Sequence, residues 1–146
     1  MKKLFITITV ALALFLCACQ ANENKEISTY GNDIAKAQEI TVFSADTSEV
    51  IERITSKEDI EDFVLALDLD KWTLKTLPNG ATEIGSFGLS QEETIKFGQT
   101  DTDGNLYDIA KITLYDGSYI GFEIVGLNTI FEVSEETTDY LKSYFE

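Results

Sequence analysis

The stretch from Leu106 to Val125, LYDIAKITLYDGSYIGFEIV, constrains the fold more than any other part of the chain. Its apolar residues recur at every second position on either side of Tyr115-Asp116-Gly117, the mark of two half-buried strands joined by a tight turn. On the first strand Leu106, Ala110, Ile112 and Leu114 share one face, with Asp108 as the exception; on the second, Ile120, Phe122 and Ile124 do. A two-residue Asp116-Gly117 loop would set Ile112 opposite Gly121 and turn the two apolar faces apart, because a slip of one residue turns every side chain over. A three-residue loop, Tyr115-Asp116-Gly117, pairs Leu114 with Ser118, Ile112 with Ile120 and Ala110 with Phe122. It also gives Gly117 the left-handed position that such a loop needs.

Around this hairpin the periodicity predicts strands over Ile40–Ala45 and Glu49–Thr55, separated by the turn-rich Asp46-Thr47-Ser48. A helix follows, capped by Ser56, with Glu58 and Asp59 in the first turn where the helix dipole favours acids. Ile60, Phe63, Val64 and Leu67 carry its apolar face at helical spacing. Trp72–Leu77 reads as a strand turned by Pro78-Asn79-Gly80, and Thr82–Leu89 and Thr94–Phe97 as two weaker strands broken by Ser-Gln-Glu-Glu. Thr129–Val133 is one more strand. Ser134 then caps a final helix with Leu141, Tyr144 and Phe145 on its buried side. The order β-β-α-β-β-β-β-β-α predicts a single α+β domain over 39–146. Its core is an antiparallel sheet of about five to seven strands with two helices, one central and one C-terminal.

The N-terminus predicts a location. Lys2 and Lys3 precede an uncharged apolar run from Leu4 to Ala18, the layout of a secretory leader and short of the roughly 20 residues of a membrane span. Leu16-Cys17-Ala18-Cys19 resembles the lipobox of bacterial lipoproteins, with Cys17 where Ala or Ser is more usual. The resemblance implies that residues 1–18 are a signal peptide, that Cys19 is acylated and becomes the new N-terminus, and that the protein is held to the bilayer facing outside the cytoplasm. With the acidic balance and the order of elements, the chain looks like the small surface lipoproteins of Gram-positive bacteria. Cleavage after Ala18 or Ala21 by an ordinary signal peptidase is the alternative. Residues 19–38, polar and non-periodic, read as a tether spanning about 20–25 Å.

Loss of Lys2 and Lys3 leaves nine basic residues against 26 acids, a formal charge of −17. Such a surface repels nucleic-acid phosphate and anionic headgroups and attracts cationic peptides or proteins. It predicts no nucleic-acid partner and a domain that stands off an anionic bilayer on its tether.

The chain has no histidine, hence no imidazole base or ligand. No hydrolase elbow, phosphate loop or dinucleotide fingerprint occurs. No catalytic residue, cofactor or metal is expected. Asp101-Thr102-Asp103-Gly104-Asn105 is similar to the opening of a calcium loop. Aligned on Gly104, however, its first and last ligand positions fall on Gln99 and Ala110, which lack carboxylates. Trp72, Tyr107, Tyr115 and Tyr119 are the candidate partner surface, with Tyr107 and Tyr115 on the strand face opposite the expected core. The expected function is a non-catalytic, membrane-anchored binding or interaction module. The alternative is an immunity- or inhibitor-type lipoprotein that captures a cationic peptide or enzyme.

Overall fold

The computed structural model describes Gly31 and residues 34–146. Among them, seven strands form one antiparallel sheet and two helices lie on one of its faces, an α+β fold. In chain order the strands are β1 (Glu39–Ser44), β2 (Val50–Ile54), β3 (Thr73–Leu74), β4 (Glu83–Glu92), β5 (Leu106–Tyr115), β6 (Tyr119–Ile124) and β7 (Leu127–Glu132). The helices are α1 (Lys57–Ala66), between β2 and β3, and α2 (Glu135–Lys142), after β7. Sheet order is β2-β1-β4-β5-β6-β7-β3.

Both helices start where a serine predicts it. The Ser56 and Ser134 side chains accept the N–H of Asp59 and Thr137, three residues on, and so satisfy donors that an open first turn leaves free. The far end of α1 is closed from two sides. Thr137 Oγ1 donates to the Ala66 carbonyl at 3.0 Å, and Trp72 Nε1–H donates to the Leu67 carbonyl at 2.7 Å. Phe63 of α1, Leu67 just past its end and Leu141 of α2 pack onto Val42, Phe87, Leu89, Ile112, Leu114 and Ile120 of the sheet, all fully buried. At one end of this core the Phe87 ring meets Phe63, Tyr144 and Phe145 at 5.2, 5.5 and 5.4 Å between centroids. Gly85 of β4 lies beneath Phe145: a Cβ there would stand 2.1 Å from a ring carbon.

The β5–β6 loop has three residues, as face agreement requires, but they are Asp116-Gly117-Ser118. Tyr115 pairs with Tyr119, Leu114 with Ile120 and Ile112 with Phe122. Parity is kept, so both apolar faces still look into the core, and Gly117 has φ 70°. The shift comes from Asp116. Its N–H donates to the Thr82 carbonyl and its Oδ1 accepts the Thr82 N–H, which binds the loop to the entry of β4 and leaves Tyr115 free to pair.

Three expectations change. The strand expected over Trp72–Leu77 shrinks to Thr73–Leu74, because the Trp72 side chain turns into the core. The Ser-Gln-Glu-Glu segment does not break a strand. β4 continues to Glu92, paired with β1 and β5, and Thr94–Phe97 is loop. Packing also begins upstream of Glu39: Ile34 and Ala37 are buried, and Gln38 N–H donates to the Ser90 carbonyl at 2.8 Å. Cys17 and Cys19 lie outside the described residues.

Candidate functional site

Since both helices pack on one face, the side chains of the other face are set by strand alternation alone. On β4 that alternation reads Ser86-Phe87-Gly88-Leu89-Ser90: Phe87 and Leu89 enter the core, while Ser86, Gly88 and Ser90 line the opposite face with almost no side-chain bulk. The result is a groove of about 560 Å³ along the middle of the sheet, floored by these three residues and Thr41 of β1. Phe43 forms one wall, its ring edge 3.1 Å from where a Gly88 Cβ would sit. The hairpin residues Val125 and Gly126 close one end. The volume falls in the range of small-ligand sites.

A bulge supplies the groove's central acid. Leu89 pairs with Ala110 but Ser90 pairs with Asp108, so Ile109 is an extra residue in β5. The extra residue reverses the alternation upstream of it. Asp108, which the sequence pattern placed as a misfit on the apolar face, is instead turned to the groove, where Ser90 Oγ donates to its Oδ1 at 2.8 Å. Glu83, Lys111 and Glu123 complete the charged lining: three acids to one base. Lys111 and Glu123 are opposite each other on the β5–β6 ladder.

The expected aromatic surface is not one surface. Trp72 is buried, tilted against Phe131 at 5.2 Å and edge-on to Phe122 at 6.0 Å, so it is a core residue and leaves the candidate site. Tyr107 lies beyond the bulge and pairs with Gln91, two residues along from the core-facing Leu89. It therefore lies on the helix-bearing side, not with Tyr115. Its hydroxyl donates to Asp103, and this bond holds the Asp103 carboxyl below its ordinary pKa and raises that of Tyr107. Tyr115 and Tyr119 remain together on the open face as a cross-strand pair, half-buried. The Tyr115 ring rests 3.4 Å from where a Gly121 Cβ would be, and burial followed by the nearby Glu83 charge raises its pKa.

Phe43, Ser86, Gly88 and Ser90 did not stand out in the sequence. Their signal is the alternation of small with large residues in Ser86–Ser90, which reads as a weak strand when only apolar periodicity is counted. The calcium-like loop is occupied by itself: Asp103 accepts from the Asn105 N–H at 3.0 Å and from its side-chain amide at 3.1 Å. Among the described residues, no group of three or more acids is placed to hold a metal ion, and no helix is long and apolar enough to cross a membrane.

The fold and this face define a small α+β domain with one covered and one open side of its sheet. Among solved structures the chain is similar to a thioesterase-like protein from Clostridium sporogenes ATCC 15579. That match has 18% identity and a TM-score of 0.40 and covers 75% of this chain and 94% of that one. No family model matches the chain, and no curated protein matches it either.

Proposed function

We propose that the protein is a lipid-anchored, extracytoplasmic binding module that takes its ligand on the open sheet face and does no covalent chemistry. The observation that carries this reading is the groove over Ser86, Gly88 and Ser90. Three successive outward positions on a central strand are kept small, which leaves room that a plain solvated face does not need. The hydroxyls there have no imidazole to activate them, and a carboxylate hydrogen-bonded to serine is too weak a base to generate an alkoxide. The groove therefore offers recognition groups, not a nucleophile. Acylation at Cys19 supplies the anchor, since two or more chains hold a protein firmly where one does so marginally.

A second observation favours one ligand class. Glu83, Asp108 and Glu123 outnumber Lys111 in the lining, and the whole chain carries a formal −15. A cationic peptide would be both drawn to the protein and held in the groove, as in immunity- or inhibitor-type capture.

Two measurements test the parts separately. Cys19→Ala abolishes detergent partitioning of the processed protein, whereas Cys17→Ala leaves it intact; partitioning of processed Cys19→Ala refutes the anchor. Titration of the full-length protein with a short lysine-rich peptide shifts the amide resonances of Ser86, Gly88, Ser90 and Asp108. The shifts weaken with salt and in Asp108→Asn. Shifts confined to other surfaces, or equal binding of an acidic peptide, refute the groove reading.

A further inference from the structure

Strand direction gathers the β4–β5 loop, the β6–β7 turn and the entry to β1 at one end of the sheet. Glu39 pairs with Ser90, Leu106 with Glu92, and Leu127 with Ile124. Ten large apolar side chains are exposed among the described residues. Six of them, Ile95, Phe97, Leu106, Tyr107, Val125 and Leu127, are at this end. Single exposed apolar residues are ordinary, but their collection at one end is not.

Two of the six sit at turn tips in the same way. Phe97 and Gly98 are the centre of a turn closed by Gln99 N–H donating to the Lys96 carbonyl at 2.9 Å, with Gly98 at φ 92°. Val125 and Gly126 are the two-residue loop between β6 and β7, at φ 49° and 77°. Both tips thus place an apolar residue before a glycine and hold it in solvent. Val125 is 93% exposed and Phe97 is fully exposed. For Val125 this is costly, since a β-branched residue is disfavoured at positive φ and asparagine is the residue that such a turn prefers. Within the fold the Val125 side chain does no more than border one end of the groove, and it otherwise stands open to solvent.

We infer that this end of the sheet rests on a lipid surface of zwitterionic headgroups, with Phe97 and Val125 dipping into the acyl boundary. Three features commit the occupant. The chain that precedes β1, with the apolar leader and Cys19 further upstream, packs into the core at Ile34 and Ala37 and then enters the sheet at this end through Gln38, whose backbone bonds to Ser90 and whose side chain accepts the Glu92 N–H. Phe97 and Val125 stand on separate loops, one between β4 and β5 and one between β6 and β7, and such tips suit a fluid surface into which side chains insert singly. Glu92, Glu93, Asp101 and Asp103 lie in or beside the loop that carries Phe97, whose one cation, Lys96, is paired with Glu93; this acidic surround disfavours an anionic bilayer and leaves a neutral one. The placement rests on the proposed acylation of Cys19; the apolar chemistry of the tips does not.

The test is Phe97→Trp in the full-length protein with phosphatidylcholine vesicles carrying brominated acyl chains. Flotation with the vesicles reads the anchor, and emission of the new tryptophan reads the tips. Trp72 is buried and supplies a constant background. The expected result is a blue shift and bromine quenching on zwitterionic vesicles, both weaker on anionic ones. Adding Val125→Asn should lower the quenching while raising the melting temperature, a pair of opposite signs that a merely structural valine would not produce. Flotation without quenching overturns the inference and leaves the anchor standing. Quenching without acylation supports the tips and refutes the anchor. A blue shift that grows with protein concentration in the absence of vesicles assigns this end to a second copy of the chain and overturns the inference.

Discussion

Replacing Gly85 by alanine should destabilise the domain through one contact, and the structure allows the size to be worked out. A Cβ on Gly85 would stand 2.1, 2.5 and 2.8 Å from three ring carbons of Phe145. Gly85 is held between Ser44 of β1 and Leu114 of β5, so the strand cannot retreat and the ring must leave. Phe145 then forfeits its edge-on contact with Phe87, about 0.5–1.5 kcal/mol. It also loses the burial of a half-covered ring, about 1–2 kcal/mol. Alanine returns about 0.4–1 kcal/mol by restricting the unfolded chain. The net cost is about 0.5–3 kcal/mol, read by urea titration of Trp72 fluorescence at unchanged m value. A cost below about 0.5 kcal/mol refutes the reasoning, because that is the range of an unconstrained surface substitution. A cycle with Phe145→Ala is the sharper check. If the ring is the obstacle, removing it in the Gly85→Ala background costs at least about 1 kcal/mol less than in the parent; simple additivity refutes the mechanism.

Gly117→Val should cost about 1 kcal/mol or more in the same assay, since Gly117 is held at φ 70° where a β-branched residue is strained. Trp72→Phe removes the shorter of two hydrogen bonds on the Leu67 carbonyl and leaves it the 3.4 Å bond from Thr137 Oγ1, for an expected loss of about 0.5–1.5 kcal/mol followed by circular dichroism; a neutral result removes the Trp72 bond from the account. Burial, then the hydrogen bond with Tyr140, pushes the Tyr144 hydroxyl well above its ordinary pKa. The fold therefore favours the neutral phenol. That contribution is complete below the unfolded value near 10 and is lost as pH rises toward the folded one, so stability should fall above about pH 10. Tyr144→Phe should flatten this alkaline decline in denaturant titrations, and an unchanged slope refutes the assignment.

Much of the architecture was legible because it depends on local chemistry. Ser56 and Ser134 mark helix starts by hydrogen bonds made within three residues, and the parity of Ile112 and Ile120 survives although the loop moved by one residue. What stayed hidden depends on partners distant in sequence. The shift of the loop came from Thr82, on another strand's approach. The bulge at Ile109 showed only as a misfit at Asp108, and its consequence, Tyr107 turned away from Tyr115, follows from the pairing with β4. In the sequence Trp72 groups with the tyrosines as a candidate partner surface, yet its ring packs on Phe131 and its N–H bonds the Leu67 carbonyl just past α1, partners that only the tertiary fold brings together. The groove was missed for a simpler reason: it is made of what Ser86, Gly88 and Ser90 lack.

The sheet order has a kinetic consequence. After β2 at one edge, the chain crosses by α1 to β3 at the other edge and only then returns to lay β4 in the middle. The β5–β6–β7 meander and the β1–β2 hairpin each close through short turns, but the seam that joins them is β4, paired with β1 on one side and β5 on the other. Until that strand docks, neither unit has a complete apolar face to bury. The barrier to folding should therefore sit at a late, long-range closure, with rates nearer those of β-rich domains than of helical ones. The two hairpin units then stand or fall together, and a nick in the segment leading into β4 would undo the domain from its centre.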